Sequence, residues 1–542
     1  MSVLTTSRAT HAPTGRLTGT KPLLRASVKH DGRLFAPWIA IVTALSASSV
    51  LVYPWVFPSA MDRMALAIAI GANPALSLIF GPAHDLSSVD GFNAWRSLAL
   101  GGFFTALGAT FAVTRATRGQ EDSGQAELLA SGVMGREARL LTGVGIAVIG
   151  SILLGVVSSL VTVLCGGAWD ASLLLGATFT ATGWMFASVA AVTAQLGSDA
   201  RTANSMAVGT LGSLFVLRGF AQSMDAPAWT VWVNPLGWPM ETQPAGANRW
   251  WPLVFALVLT AAMLVVAFVL QARRDFGQGA IAPRPGPDRG SARSTWSLAL
   301  RLNRGPLVTW TIAFVLLGIV FGYFATSVTD IASSDSAIAG VLAAGVVTPE
   351  AIVQAFLVMV LSLVGILAAI PGVQTMLKVR SEELEDRVEP LIATALSRPR
   401  YYASHVVVAL VSSTFFVLVA GTVIAILTST ADMGVGFGDV LLQAVVTVPA
   451  VWTIVAVSVA VIGARPIVSL AAWGGVLASF GLTLLGPTFG LPDWALGVSP
   501  FWHVPKVMAD NPDAMGLVWV SLFTFAFLAV GFVGFRRRDL AR

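Results

Sequence analysis

Two polar stretches in an otherwise apolar chain hold the residues whose types and spacing could do chemistry. RGQEDSGQAELLASGVMGR occupies 118–136 and RSEELEDRVEPLIATALSR occupies 380–398. Displaced by 262 positions, Arg118 falls on Arg380, Glu121 on Glu383, Glu127 on Glu389, Leu129 on Leu391 and Arg136 on Arg398. Apolar residues at 126, 129, 130, 133 and 134, and at 388, 391, 392, 395 and 396, follow the spacing of one helix face. Glutamate at the start and arginine at the end complement the helix dipole, and Pro390 suits a first turn. Each island is therefore expected to form an amphipathic surface helix, about 13 Å from acid to base at 1.5 Å per residue. Such a helix can simply close a loop, its charges being solvated caps, or it can dock a partner. Two matched copies favour docking, because a symmetric partner would find a handle on each.

The chemistry expected of these charges is recognition rather than catalysis, and no catalytic residue is assigned. The single cysteine, Cys165, lies in an apolar run, so disulfides and Cys-based metal sites are excluded. No G-x-x-x-x-G-K-[ST] occurs, so the chain has no P-loop for ATP. Asp62, His84, Asp85 and Asp90 precede the second apolar run without a recognisable spacing, which weakens the reading of an enzyme acting on lipid-linked substrates. No metal site and no cofactor are expected on this chain.

The elements that position the islands are membrane helices. The 542 residues are 55% hydrophobic and 11% charged, against about 25% charged in soluble proteins. Runs long enough for a bilayer core of roughly 30 Å lie near 34–54, 97–115, 140–164, 171–195, 203–223 and 251–271. Six more lie near 305–326, 351–377, 401–428, 438–463, 466–486 and 515–535. The runs do not alternate as barrel strands would. The fold expected is an all-α polytopic membrane protein of twelve transmembrane helices. Residues 1–270 form the first six-helix half, 271–304 a cytoplasmic linker and amphipathic approach, and 305–542 the second half. No cleavable signal peptide is expected in the basic segment 1–33.

Of the 33 basic residues, all but Arg63, Arg96, Arg218, Arg249 and Lys506 fall on one side when the N-terminus is placed inside. The positive-inside rule then puts both termini in the cytoplasm, at the plasma (inner) membrane. Because the basic charge sorts by membrane side, no nucleic-acid partner is expected. The repeat extends beyond the islands: VNPLGW (233–238) matches VSPFWH (498–503), and Arg273-Arg274-Asp275 matches Arg537-Arg538-Asp539. Six spans per half make the two repeats parallel. The spans contain no central Asp or Glu of the kind an ion-coupled carrier needs. Arg218 and His405 are the only ionisable candidates, each read as lying near an interface and snorkelling.

The E-x-x-G-x-x-E-L-L…G-R pattern of Glu121, Gly124, Glu127, Leu128, Leu129, Gly135 and Arg136 resembles the coupling-helix segment of type-2 ABC-exporter permeases. The twelve-span arrangement, the NPLGW and SPFWH loops and the C-terminal RRRD resemble, more narrowly, the tetronasin-like exporters of polyketide antibiotics and drugs in actinobacteria. The resemblance covers nearly the whole chain. It implies a pseudo-dimeric body served by two copies of a separately encoded ABC ATPase, which binds ATP and Mg, and elbow helices at 21–34 and 291–304. It places ATPase coupling on Arg118, Glu121, Glu127, Leu129, Arg136, Arg380, Glu383, Glu389, Leu391 and Arg398. The second island departs from the pattern, with Asp386 in place of the glycine and Pro390 after the glutamate, so unequal docks are expected.

In that class the path for a hydrophobic small-molecule substrate is expected along the second and fifth spans of each half. Candidates are Phe103, Phe104, Phe111, Met206, Phe215, Arg218, Phe356, Met359, Trp473 and Phe480, whose rings and thioethers adapt to varied cargo. Each can equally be ordinary packing or lipid contact. Trp232, Trp238, Trp250 and Trp251 suit an interfacial belt. The function expected is a permease subunit of an ATP-driven exporter of amphipathic compounds. The alternative is an ion-coupled secondary multidrug carrier.

Overall fold

The computed structural model describes residues 15, 17–71, 74–130, 135, 137–223, 226–274, 277–281, 294–334, 349–394, 396–431, 434–485, 491–508 and 512–539. Every regular element among them is helical. In a bilayer each backbone polar group must be satisfied within its own segment, and continuous apolar runs satisfy them as helices. The chain divides into two compact units, Met1–Gly286 and Pro287–Arg542.

In the first unit α1 (Thr20–Asp31) turns through a 3-10 segment, Gly32–Phe35, into α2 (Ala36–Val56). Two short helices, α3 (Ala60–Gly71) and α4 (Pro74–Phe80), occupy the loop before α5 (Val89–Thr114). A π-helical turn, Arg115–Gly119, carries α5 into α6 (Gln120–Asp122), and α7 (Gln125–Ala130) follows. Then come α8 (Ala138–Leu164), α9 (Trp169–Leu196), α10 (Ala200–Ser223), the short α11 (Trp229–Val233) and α12 (Gly237–Met240), and α13 (Pro252–Arg273).

The second unit contains α14 (Thr295–Ser334), α15 (Pro349–Leu384), α16 (Glu389–Ile392), α17 (Arg398–Thr430) and α18 (Phe437–Ala464). An irregular segment follows: a 3-10 stretch, Pro466–Trp473, then α19 (Gly474–Phe480) and a π turn, Gly481–Leu485. The chain ends in α20 (Asp493–Leu496) and α21 (Met515–Arg537). The two approach segments differ. The first is a separate helix, whereas residues 295–304 run without a break into the 40-residue α14.

Among the described residues, eleven helices are long and apolar enough to cross a membrane. The expected fifth span, α10, has the length at 24 residues but not the apolarity, carrying Arg201, Asn204, Arg218 and Gln222 among its small residues. Its N-terminus is nonetheless well capped. Asp199 accepts from the Thr202 amide at 2.8 Å, and Asp122, from the first island, accepts from the Ala200 amide at 2.8 Å. Burial alone would raise the Asp199 carboxyl, but hydrogen bonds from Thr202 and Ser198 hold it below the ordinary carboxylate range. In the second unit Arg465 and Pro466 begin the corresponding segment, and its helix is irregular from the first turn.

Helix pairing follows one order in both units. In the first, α5 packs on α2, α8 and α9, α8 on α9, and α9 on α13. In the second, α15 packs on α14, α17 and α18, α17 on α18, and α18 on α21. Apolar side chains gain little by leaving lipid, so close backbone approach and buried hydroxyls supply the adhesion. Gly155 and Gly176 let α8 and α9 touch: a Cβ on Gly155 would stand 2.4 Å from the Gly176 carbonyl oxygen. Beside them the Ser159 hydroxyl donates to the Ser172 carbonyl at 2.8 Å. Ser46, Asn93 and Thr162 join α2, α5 and α8, with Ser46 Oγ 2.8 Å from Thr162 Oγ1 and accepting from Asn93 Nδ2 at 3.0 Å. In the second unit Thr453 and Thr524 hydroxyls meet at 2.7 Å between α18 and α21.

Candidate functional site

The π turn at the end of α5 places Arg118 inside the protein, with no exposed side-chain surface. One guanidinium nitrogen, Nη1, donates to Glu121 Oε2 at 2.8 Å, Nη2 donates to the Gln278 carbonyl at 3.0 Å, and Nε donates to the Ala194 carbonyl. Glu121 is itself held by two more arginines. Arg139 Nη2 donates to Oε1 at 3.1 Å, and Arg274 reaches Oε1 at 2.9 Å and Oε2 at 3.3 Å. Arg274 also donates to Gln195 Oε1 at 2.6 Å and the Gln278 carbonyl at 2.8 Å. Backbone bonds from Ala280 to Gln195 and from Ile281 to Leu196 fasten the first linker residues over this knot. Charge-assisted bonds are strong in a site of low dielectric when every partner is satisfied. The knot therefore fixes the ends of α5, α8, α9 and α13 to one another.

The second unit repeats the arrangement with fewer arginines. Arg380 Nη1 lies 3.3 Å from Glu383 Oε2, and Arg538 Nη2 donates to Glu383 Oε1. Arg538 Nε donates to the Gly463 carbonyl at 3.0 Å, its guanidinium lies 4.8 Å from the Phe535 ring centroid, and its own carbonyl accepts from Arg398 Nη1 at 2.9 Å. Tyr401 stands 262 residues after Arg139, so the third arginine has no counterpart. Arg274 and Arg538 come from the two matched RRD motifs. The sequence shows those motifs as repeated but gives no sign of their partners, and Arg139, Arg274, Arg538, Gln195 and Gln278 were not among the expected site residues.

Each knot is followed by the same turn. The Gly124 amide donates to the Glu121 carbonyl at 3.1 Å, and the Asp386 amide to the Glu383 carbonyl at 3.1 Å. Both residues are left-handed, with φ of 74° and 56°. The substitution that sets the second island apart thus preserves the conformation, since Asp tolerates this region better than most residues. After the turn Ala126 and Val388 are buried, while Glu127 and Glu389 are exposed.

Of the residues assigned to coupling, Arg118, Glu121 and Glu383 are enclosed by their own unit, and Arg380 keeps only a small exposed surface. They position the turn, and the acids that reach the surface are Glu127 and Glu389. Leu391 is half-buried against the core. Arg136 and the side chain of Leu129 lie outside the described residues. The expected helix running from acid to base is not found in the second island. Its helix spans only Glu389–Ile392, and Arg398 is the first residue of α17 rather than the end of α16. Pro399 falls in the first turn of α17, where its missing N–H costs little, so it suits the start of a new helix there.

Along the expected path, Phe103 lies 6.0 Å from Phe104 and 5.0 Å from Phe215, joining α5 to α10. Phe111 faces Trp38 at 6.1 Å instead. Met206 is half-buried. In the second unit Phe356 stacks on Phe324 at 5.6 Å, Trp473 packs on the core, and Met359 and Phe480 are exposed. Arg218 and His405 do not snorkel; they are 3% and 2% exposed. Arg218 Nη2 donates to the Ile79 carbonyl at 2.8 Å, beneath α4, and a Cβ on the adjoining Gly219 would stand 2.1 Å from the Leu78 carbonyl oxygen. His405 lies 5.0 Å from Tyr401, and its Nδ1 has no partner among the described residues.

Two bodies of long apolar helices, glued by small residues and buried hydroxyls and each closed by a charged knot, define a multi-pass membrane protein. The chain belongs to the family described as the multidrug efflux system permease Rv1217c, C-terminal domain, whose model matches residues 43–270 and 293–536. It is also similar to the multidrug efflux system permease protein Rv1217c of Mycobacterium tuberculosis (strain ATCC 25618 / H37Rv). The two are 34% identical over 541 residues, covering 98% of this chain and 97% of the relative.

Proposed function

We propose that this chain is the membrane permease of an ATP-driven exporter of type-2 ABC architecture. It spans the plasma membrane twelve times in two parallel six-helix repeats, with both termini in the cytoplasm. Each island docks one copy of a separately encoded ATPase, which supplies ATP and Mg, and the permease moves amphipathic compounds such as drugs or polyketide antibiotics outward. The name of the Mycobacterium tuberculosis relative supports drug efflux as the process. The observation that carries the reading is the duplicated knot-and-turn. It presents Glu127 and Glu389 on matched surface turns, each braced through buried charge to the last helix of its unit. A push on either turn would thus reach the membrane helices through rigid contacts. Among the described residues the buried acids Glu121 and Glu383 are each ion-paired with arginine, which supports a structural role for them over one in ion-coupled transport. Reversing both exposed acids, E127K with E389K, should abolish ATP-dependent efflux from reconstituted vesicles and release the ATPase on purification. The permease itself should stay folded. Efflux at the unmodified rate from the double variant would end the docking assignment.

A further inference from the structure

Arg218 is a buried cation with no matching anion among the described residues. No described acid is paired with it: Glu241, the first described acid after it in the chain, pairs with Arg249 at 3.6 Å. Of its five N–H donors, one meets the Ile79 carbonyl and another the thioether of Met240 at 3.2 Å, a weak acceptor. Among the described residues Nε has no partner, and neither has the buried Gln222 Oε1 one turn further along α10. Burying an arginine in membrane protein is costly, and such residues mark functional sites by default.

Arg218 also lines a cavity of about 220 Å³ whose remaining wall is mostly apolar, with Gln222, Thr230 and Asn234 as its other polar residues. Leu214, Leu217, Trp229, Val231 and Val233 supply that wall, and Leu217, Trp229 and Val233 are 63%, 64% and 71% exposed. The cavity therefore opens onto an apolar surface and ends at a guanidinium that lies 4.6 Å from the Phe215 ring centroid and that no described acid neutralises.

We infer that this cavity is a binding site for an anionic amphiphile: a carboxylate or phosphate head seated toward Arg218, with its apolar tail lying over Leu217, Trp229 and Val233. A volume of about 220 Å³ has room for such a head, since one water occupies about 30 Å³ in the liquid. It is too small for a whole acyl chain, which is why the tail belongs on the exposed apolar rim. An anion there supplies the missing counter-charge, and a charge-assisted bond of this kind discriminates strongly against a neutral head. Arg218 is also among the residues expected along the substrate path, but binding here lies wholly within the first unit and needs neither ATP nor an ATPase, so its test can fail separately from that of the export reading.

Native mass spectrometry of the full chain in neutral detergent tests it with four probes: oleate, oleyl alcohol, phosphatidylglycerol and phosphatidylcholine. The wild type should retain an anionic probe at least about tenfold better than its neutral counterpart. R218K should keep that preference, and R218Q should lose it. A221W, which fills the cavity while leaving Arg218 in place, should also lose it, which covers the case in which R218Q fails to fold. Retention of phosphatidylglycerol alone assigns the site to bilayer lipid, and retention of oleate assigns it to single-chain amphiphiles. An undiminished anionic preference in R218Q or A221W overturns the inference.

Discussion

Removing the carboxylate of Glu121 is the sharpest test of the first knot. Glu121 accepts from Arg118, Arg139 and Arg274 at 2.8–3.3 Å, and the four side chains are 5%, 0%, 12% and 8% exposed, in the order Glu121, Arg118, Arg139, Arg274. Without it, three guanidiniums face one another out of reach of water. Breaking a buried pair by deleting one partner costs about 3–5 kcal/mol. The carbonyls of Ala194 and Gln278 still hold Arg118, which places E121A toward the lower end of that range. For a unit of this size the melting temperature should fall on the order of 10 °C. Thermal unfolding of the detergent-purified chain measures the fall, and a cycle of E121Q, R274Q and the double variant isolates the pair. The double variant should lose at least about 1 kcal/mol less than the two singles together. E383A should be milder, because Arg380 and Arg538, 15% and 13% exposed, can turn toward water as Arg118 cannot. An E121A variant melting within about 2 °C of wild type, or a cycle additive within about 0.5 kcal/mol, would refute the reasoning.

Four further substitutions, at three positions, bear on particular contacts. G124A should cost about 1 kcal/mol through its left-handed backbone alone, since a Cβ there meets nothing within 4 Å. G124D should cost less, because Asp386 already holds that conformation, and thermal shift compares the two. G219L should overpack α4 against α10 and destabilise by about 1–3 kcal/mol, lowering the yield of monodisperse protein. H405F should leave efflux intact and insensitive to an uncoupler at constant ATP; loss of transport in H405F together with uncoupler sensitivity in the wild type would favour a proton-coupled carrier.

The membrane helices were legible in the sequence because burial in lipid imposes a local and continuous pattern. The islands were legible because they repeat. Their internal organisation was not. Glu121 and Arg274 are 153 residues apart, and Glu383 and Arg538 are 155 apart, separations that no helical period reports. Charges in a polar stretch read as exposed, yet Arg118 is covered by backbone from Gln278 to Ile281, which hydropathy marks only as linker. Likewise, the apolar face of the second island continues in the sequence through Leu396, but its helix ends at Ile392 and the next begins at Arg398. Arg218 lies close to the end of α10, where snorkelling is the ordinary expectation; it is buried because Gly219 admits α4 so near.

Both knots close with partners drawn solely from their own unit: Arg118, Glu121, Arg139 and Arg274 in one, Arg380, Glu383, Arg398 and Arg538 in the other. The bond from Ile281 to Leu196 is the last described tie before the junction, and Ser294 begins the next described stretch. Each half therefore contains its own clasp among the described residues. A gene divided within codons 282–293 should yield two fragments that insert separately and retain their folds, turning a fused permease into a pair of half-transporters.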